Sequence, residues 1–225
     1  MQHGYQCGAL WGAAFAAGAQ AHHLFGPGPK AEAGAVLACQ KLVDAMQRNF
    51  KEINCAELTD TNWKKPSTVI KYFIKGGTFK CFGLVSRFSR LAFDEITKAL
   101  SKTAIPEPGP PVSCTSFLVK KMGGSELQAT MAAGLAGGIG LSGSGCGALG
   151  AAIWIGALNL LKEPKGKVSF SDPRLTAIVD KYLKVADYEL ECGEVVGRKF
   201  KDVSDHAAYI KDGGCAEIIE ALTTK

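Results

Sequence analysis

Eight cysteines are the residues best equipped for chemistry in this 225-residue sequence. Their thiolates ligate metals and attack disulfides. Six of the eight recur in matched order. Cys7-Gly8-Ala9-Leu10 returns as Cys146-Gly147-Ala148-Leu149, and both continue into Ala- and Gly-rich apolar sequence. Cys55 follows Cys7 by 48 positions, and Cys192 follows Cys146 by 46. Cys81 then follows Cys55 by 26, and Cys215 follows Cys192 by 23. The approaches match as well: Ile74-Lys75-Gly76-Gly77 precedes Cys81, and Ile210-Lys211-Asp212-Gly213-Gly214 precedes Cys215. This order indicates an internal repeat. Cys39 sits mid-helix, has no counterpart and reads as structural.

Cys7 and Cys146 each lie beside glycine at the start of an Ala-rich helix. There a thiol faces the free N–H groups and the positive end of the dipole, so a lowered pKa is expected at both. The bland alternative is that each is a small buried hydrophobe. Cys55, Cys81, Cys192 and Cys215 are expected at loop-to-helix transitions, from which separate helices can aim at a shared site. No Cys-x-x-Cys pair occurs. That argues against thioredoxin-type chemistry, zinc ribbons and the usual ferredoxin runs. Any ligand set must therefore be assembled from distant segments, and spacing does not name the metal.

With Cys114 added, the pattern resembles the redox-active family defined by a C-GCAxxG-C-C signature, related to the split-Soret cytochromes. The second half matches it with Cys114, Cys146, Cys192 and Cys215; the first half matches positions two to four with Cys7, Cys55 and Cys81. The early cysteine has no counterpart there, since only six residues precede Cys7. The motif glycine also differs: Gly12 sits at the family position after Cys7, whereas Gly150 stands one place early after Cys146. The resemblance implies a helical redox protein binding an iron–sulfur cluster through these seven thiolates, with a redox partner protein and a homodimer as expected associates. Covalent haem is not expected, because no Cys-x-x-Cys-His occurs. The readings kept beside this one are a metal-free thiol–disulfide oxidoreductase or redox sensor, and a structural zinc or interaction protein.

The elements that must position these thiols read as helices. Val36, Cys39, Val43, Met46 and Phe50 recur at helical spacing, as do Leu84, Phe88, Leu91 and Leu100. Ser171-Asp172-Pro173 combines an N-cap with proline at the first helical position. Only Lys167–Phe170 alternates like a strand. The expected fold is all-α, with two similar helical units from an internal duplication. They are residues 1–102 and 114–225, joined by a Pro-rich linker at 103–113.

Composition is that of a globular chain, with 47% hydrophobic and 21% charged residues and a net charge of +5. The cations look scattered, so no nucleic-acid partner is expected. Met131–Leu161 carries no charge and is long enough to span a bilayer. Ser142–Gly145 breaks it, however, so two short buried helices are expected rather than a membrane span. The N-terminus lacks the basic start of a signal peptide, which makes a cytoplasmic location the default expectation. His3, His22, His23 and His206 read as surface residues, and Trp11, Trp63 and Trp154 as core or boundary aromatics. Glu57 and Glu194 read as helix-start carboxylates. No Ser-His-Asp set, phosphate loop or dinucleotide fingerprint is present.

Overall fold

A computed structural model describes residues 4–101, 104–164, 166–169 and 171–224. Among these the chain is all-α, with twelve helices and two isolated β-bridges. In order they are α1 (Gly8–Phe25), α2 (Pro29–Phe50), α3 (Cys55–Thr59), α4 (Pro66–Ile74), α5 (Gly77–Leu100), α6 (Cys114–Lys121), α7 (Glu126–Ala133), α8 (Gly147–Leu161), α9 (Pro173–Val185), α10 (Cys192–Val196), α11 (Val203–Lys211) and α12 (Ala216–Thr223). No helix among the described residues is long and apolar enough to cross a membrane.

The core runs through both halves of the sequence. Leu10, Leu42 and Phe88 join Leu118, Ile155, Tyr182 and Ile219 in one apolar cluster. Small residues bring α1 close to its neighbours: Ala14, Ala17 and Ala21 are fully buried, and α1 packs on both α2 and α7. A polar tie reinforces this contact. Glu32 of α2 is buried, accepts a hydrogen bond from Ser116 and pairs with Lys120 at 3.3 Å. A buried carboxylate of this kind is tolerable only because it is paired.

Local signals explain several boundaries. Asp172 caps α9, its carboxylate accepting from the Arg174 N–H at 3.0 Å, with Pro173 at the first helical position. Ser125 and Gln128 form a reciprocal capping box on α7. The stretch from Met131 departs from the expected pair of helices. Only α8 is helical beyond Ala133; residues 134–141 form buried turns instead. Gly140 at φ +59° shows why. Its α-carbon lies so close to the backbone of Cys39 and Gln40 that no side chain fits. Residues 166–169 form no strand, and Phe170 lies outside the described residues.

Five helices of the second half follow the order of five in the first: α8 to α12 run as α1 to α5 do. Left-handed residues recur at matching places. Lys51 and Tyr188 each lie four residues before the cysteine that opens α3 or α10, and Asp60 and Gly197 end those helices. Among the described residues, α6 and α7 have no counterpart ahead of α1.

Candidate functional site

The two β-bridges hold the motif cysteines in pairs. In the Gln6–Asn54 bridge, the Cys7 N–H donates to the Ile53 carbonyl at 2.8 Å and the Cys55 N–H to the Tyr5 carbonyl at 2.8 Å. In the Gly145–Glu191 bridge, the Cys146 N–H donates to the Leu190 carbonyl at 2.8 Å and the Cys192 N–H to the Ser144 carbonyl at 2.7 Å. Cys7 and Cys146 are the N-caps of α1 and α8; Cys55 and Cys192 are the first residues of α3 and α10. Each bridge thus sets two helix starts, and two thiols, against each other.

The second cluster adds Cys114, first residue of α6, and Cys215, the left-handed N-cap of α12 at φ 58°. Four separate helix starts therefore bring Cys114, Cys146, Cys192 and Cys215 within electrostatic reach of one another. All four are free thiols, and Cys114 and Cys192 are buried. Burial pushes the Cys114 thiol well up, and its three neighbours push it further; the Gly137 N–H, reaching it from the buried turn, partly opposes this. Burial and the facing thiols likewise raise Cys192. Cys215 is pushed up to about 11 by burial and by Cys146, while the Tyr209 hydroxyl donates to it and holds it down.

Tyr182 completes this cluster. It is fully buried, and its hydroxyl has no nitrogen or oxygen partner. Burial raises its pKa, and so do the thiols its hydroxyl faces: Cys146, toward which it is directed, Cys192 and Cys215.

The first cluster opens onto a cleft. Cys7, Cys55 and Cys81 line a cleft of about 970 Å³ together with Trp63, Tyr72 and Lys80. Tyr72 stands to Cys81 as Tyr209 does to Cys215, its hydroxyl donating to the sulfur. Cys81 departs from expectation. It lies in the second turn of α5 rather than at a loop-to-helix transition, one helical turn beyond the place Cys215 occupies after its Gly-Gly pair. Cys7 departs as well. Burial raises its pKa despite the N–H groups of Ala9 and Leu10, so the helix terminus does not give a low-pKa thiol there.

Four buried side-chain polar atoms among the described residues lack a nitrogen or oxygen partner: Gln6 Nε2, Asn54 Oδ1, Trp63 Nε1 and the Tyr182 hydroxyl. Gln6 and Asn54 immediately precede Cys7 and Cys55 in sequence, Trp63 lines the cleft, and Tyr182 faces the second cluster. The two clusters are also neighbours, since the Gln6 side chain lies against Gly145. The early glycine of the second motif has a packing role: Gly150 leaves room for the Trp11 ring, and Phe15 packs on Trp154 with ring centroids 4.5 Å apart.

The tyrosines are the functional candidates that cysteine counting missed. A signal for two of them exists, because Tyr72 and Tyr209 each stand five residues before the second glycine of a Gly-Gly pair. His206 overturns the surface expectation: it is buried, with Nδ1 3.1 Å from the Val112 carbonyl and its ring edge-on to Phe200. His22 is half-buried against Thr130, His23 is exposed, and His3 lies outside the described residues. Cys39 is fully buried in α2, its thiol directed at the Ala14 carbonyl. Glu57 and Glu194 lie in the first turns of α3 and α10. Among the described residues, no three His, Cys, Asp or Glu side chains form a group arranged to hold a metal ion. No protein-family model, curated protein or solved structure matches the chain.

Proposed function

We propose that this chain is a redox-active electron-transfer protein that binds an iron–sulfur cluster through cysteine thiolates. Cys114, Cys146, Cys192 and Cys215 form the fuller site, and Cys7, Cys55 and Cys81 a second, open one. The observation that carries this reading is the four-thiol cluster itself. Four free thiols from four helix starts lie within electrostatic reach of one another, beside a buried hydroxyl that faces three of them. Burial and the facing thiols oppose ionisation of Cys114, Cys192 and Cys215. A bound metal reverses that balance, because ligation exchanges the protons for positive charge. When bound, an iron–sulfur cluster supplies one-electron storage. The chain's own contribution is to hold the thiolates, exclude water and donate hydrogen bonds from Tyr182, Tyr209 and Gly137 to sulfur, the contacts that tune such centres.

The resemblance to the C-GCAxxG-C-C proteins supports the same reading, and the matched order of α1–α5 and α8–α12 supports an internal duplication. A redox partner protein and a cytoplasmic setting belong to this proposal. The metal-free thiol–disulfide reading is the second choice. It needs an accessible thiol that ionises readily, and at Cys7 burial acts the other way. Anaerobic purification followed by iron and sulfide analysis and a visible spectrum tests the proposal. A brown protein containing both supports it. A colourless protein lacking both after anaerobic reconstitution overturns it.

A further inference from the structure

The α4–α5 hairpin has a surface unlike the rest of the molecule. No residue of α4 is buried, and its one substantial packing partner is α5. Its apolar side chains face outward: Ile70 is 59% exposed, Phe73 60% and Ile74 80%. On α5 the same is true of Phe79 at 81%, Phe82 at 65% and Phe93 at 72%. At about 100° per residue, Phe79, Phe82 and Phe93 fall within an arc of about 60° on α5. That arc lies outside the face that buries Phe88 and Ala92. Soluble chains rarely leave so much contiguous apolar surface without a purpose.

The charge on this hairpin is equally one-sided. Lys64, Lys65, Lys71, Lys75, Lys80, Arg87 and Arg90 fall between Asp60 and Asp94 with no acidic residue among them. The net charge of the whole chain is +5, so the remainder is slightly acidic. None of these seven cations makes an ion pair among the described residues. The cations that look scattered in the sequence are therefore gathered on one hairpin, where Lys80, Arg87 and Arg90 border one side of the apolar stripe on α5. A second copy is a poor occupant, because a symmetric contact would set two such cationic faces against each other. Protruding aromatic and aliphatic side chains ringed by lysine and arginine suit the boundary between anionic headgroups and acyl chains.

We propose that the α4–α5 hairpin docks this protein on an anionic lipid bilayer, with Ile74, Phe79 and Phe82 entering the interface and the flanking cations on the headgroups. This is attachment to one leaflet. It is independent of the redox reading, although the cleft holding Cys7, Cys55 and Cys81 opens beside this surface and shares Lys71, Lys75 and Lys80 with it.

Sedimentation of the full chain with phosphatidylcholine vesicles, with and without phosphatidylglycerol, tests the proposal. Binding to the anionic vesicles is expected, weakening as salt is raised. Removing the charge of Lys75 or Lys80 should weaken it about fivefold each. The pair Ile74→Ser/Phe79→Ser, both on the surface, should weaken it tenfold or more while leaving the circular dichroism spectrum unchanged. Equal binding to neutral and anionic vesicles, or none to anionic vesicles at low salt, overturns the proposal. So does concentration-dependent self-association that Ile74→Ser/Phe79→Ser abolishes while vesicle binding persists, since the face then belongs to a second copy.

Discussion

Replacing Tyr182 with phenylalanine should move the stability of the empty protein and the properties of the loaded one in opposite directions. Tyr182 is fully buried, and its hydroxyl has no nitrogen or oxygen partner, only the Cys146 sulfur it faces. A buried hydroxyl left unsatisfied costs about 1–3 kcal/mol. The facing Cys146 sulfur is at best a weak acceptor, which places the penalty toward the lower end. Tyr182→Phe should therefore stabilise the metal-free protein by about 1 kcal/mol. With a urea slope of about 2–3 kcal/mol/M, the unfolding midpoint rises by about 0.4 M. In the iron-loaded protein the same change removes an O–H donor to sulfur, so the reduction midpoint should become more negative. Urea unfolding of metal-free protein and a redox titration of reconstituted protein measure the two effects. Destabilisation of metal-free Tyr182→Phe by about 1 kcal/mol or more would instead show that the hydroxyl has a partner it needs.

Other consequences are equally direct. Gly140→Ala places a Cβ 2.5 Å from the Cys39 carbonyl carbon at a left-handed φ, and should destabilise by about 3 kcal/mol or more. Gly8→Ala, with open space around it, should change urea stability little. His206 should make stability fall on acidification: burial lowers its folded pKa, so below pH of about 6.5 the unfolded chain takes up the proton first. That loss is absent above pH 6.5 and grows downward until the folded pKa is reached, with a slope of at most about 1.4 kcal/mol per pH unit. Urea midpoints between pH 7.5 and 5 should show this slope in the wild type and lose it in His206→Gln. A slope unchanged in the variant assigns the effect elsewhere.

The all-α class and the start of α9 were legible because they rest on local signals: helical apolar spacing and Asp172 before Pro173. The cysteine order pointed to helix starts, and six of the seven candidate thiols lie at one. The misses share a tertiary origin. The raised Cys7 thiol and the buried His206 depend on which face another segment covers, and one residue's neighbours in sequence do not report that. Residues 134–141 are apolar enough for a helix, but close approach to α2 holds them in turns. Tyr182 reaches the thiols only through the packing of α9, so no motif marks it. The cationic hairpin was present in composition, yet a whole-chain net charge averages it away.

The central claim is that four distant thiols form one metal-binding site. Iron bound per chain after anaerobic reconstitution tests it most directly, compared between wild type, Cys114→Ala, Cys192→Ala and Cys39→Ala. Cys39→Ala should retain the wild-type iron and sulfide content, and Cys114→Ala and Cys192→Ala should each lose a large share of it. Equal iron in all four proteins, or none in any of them, would contradict it.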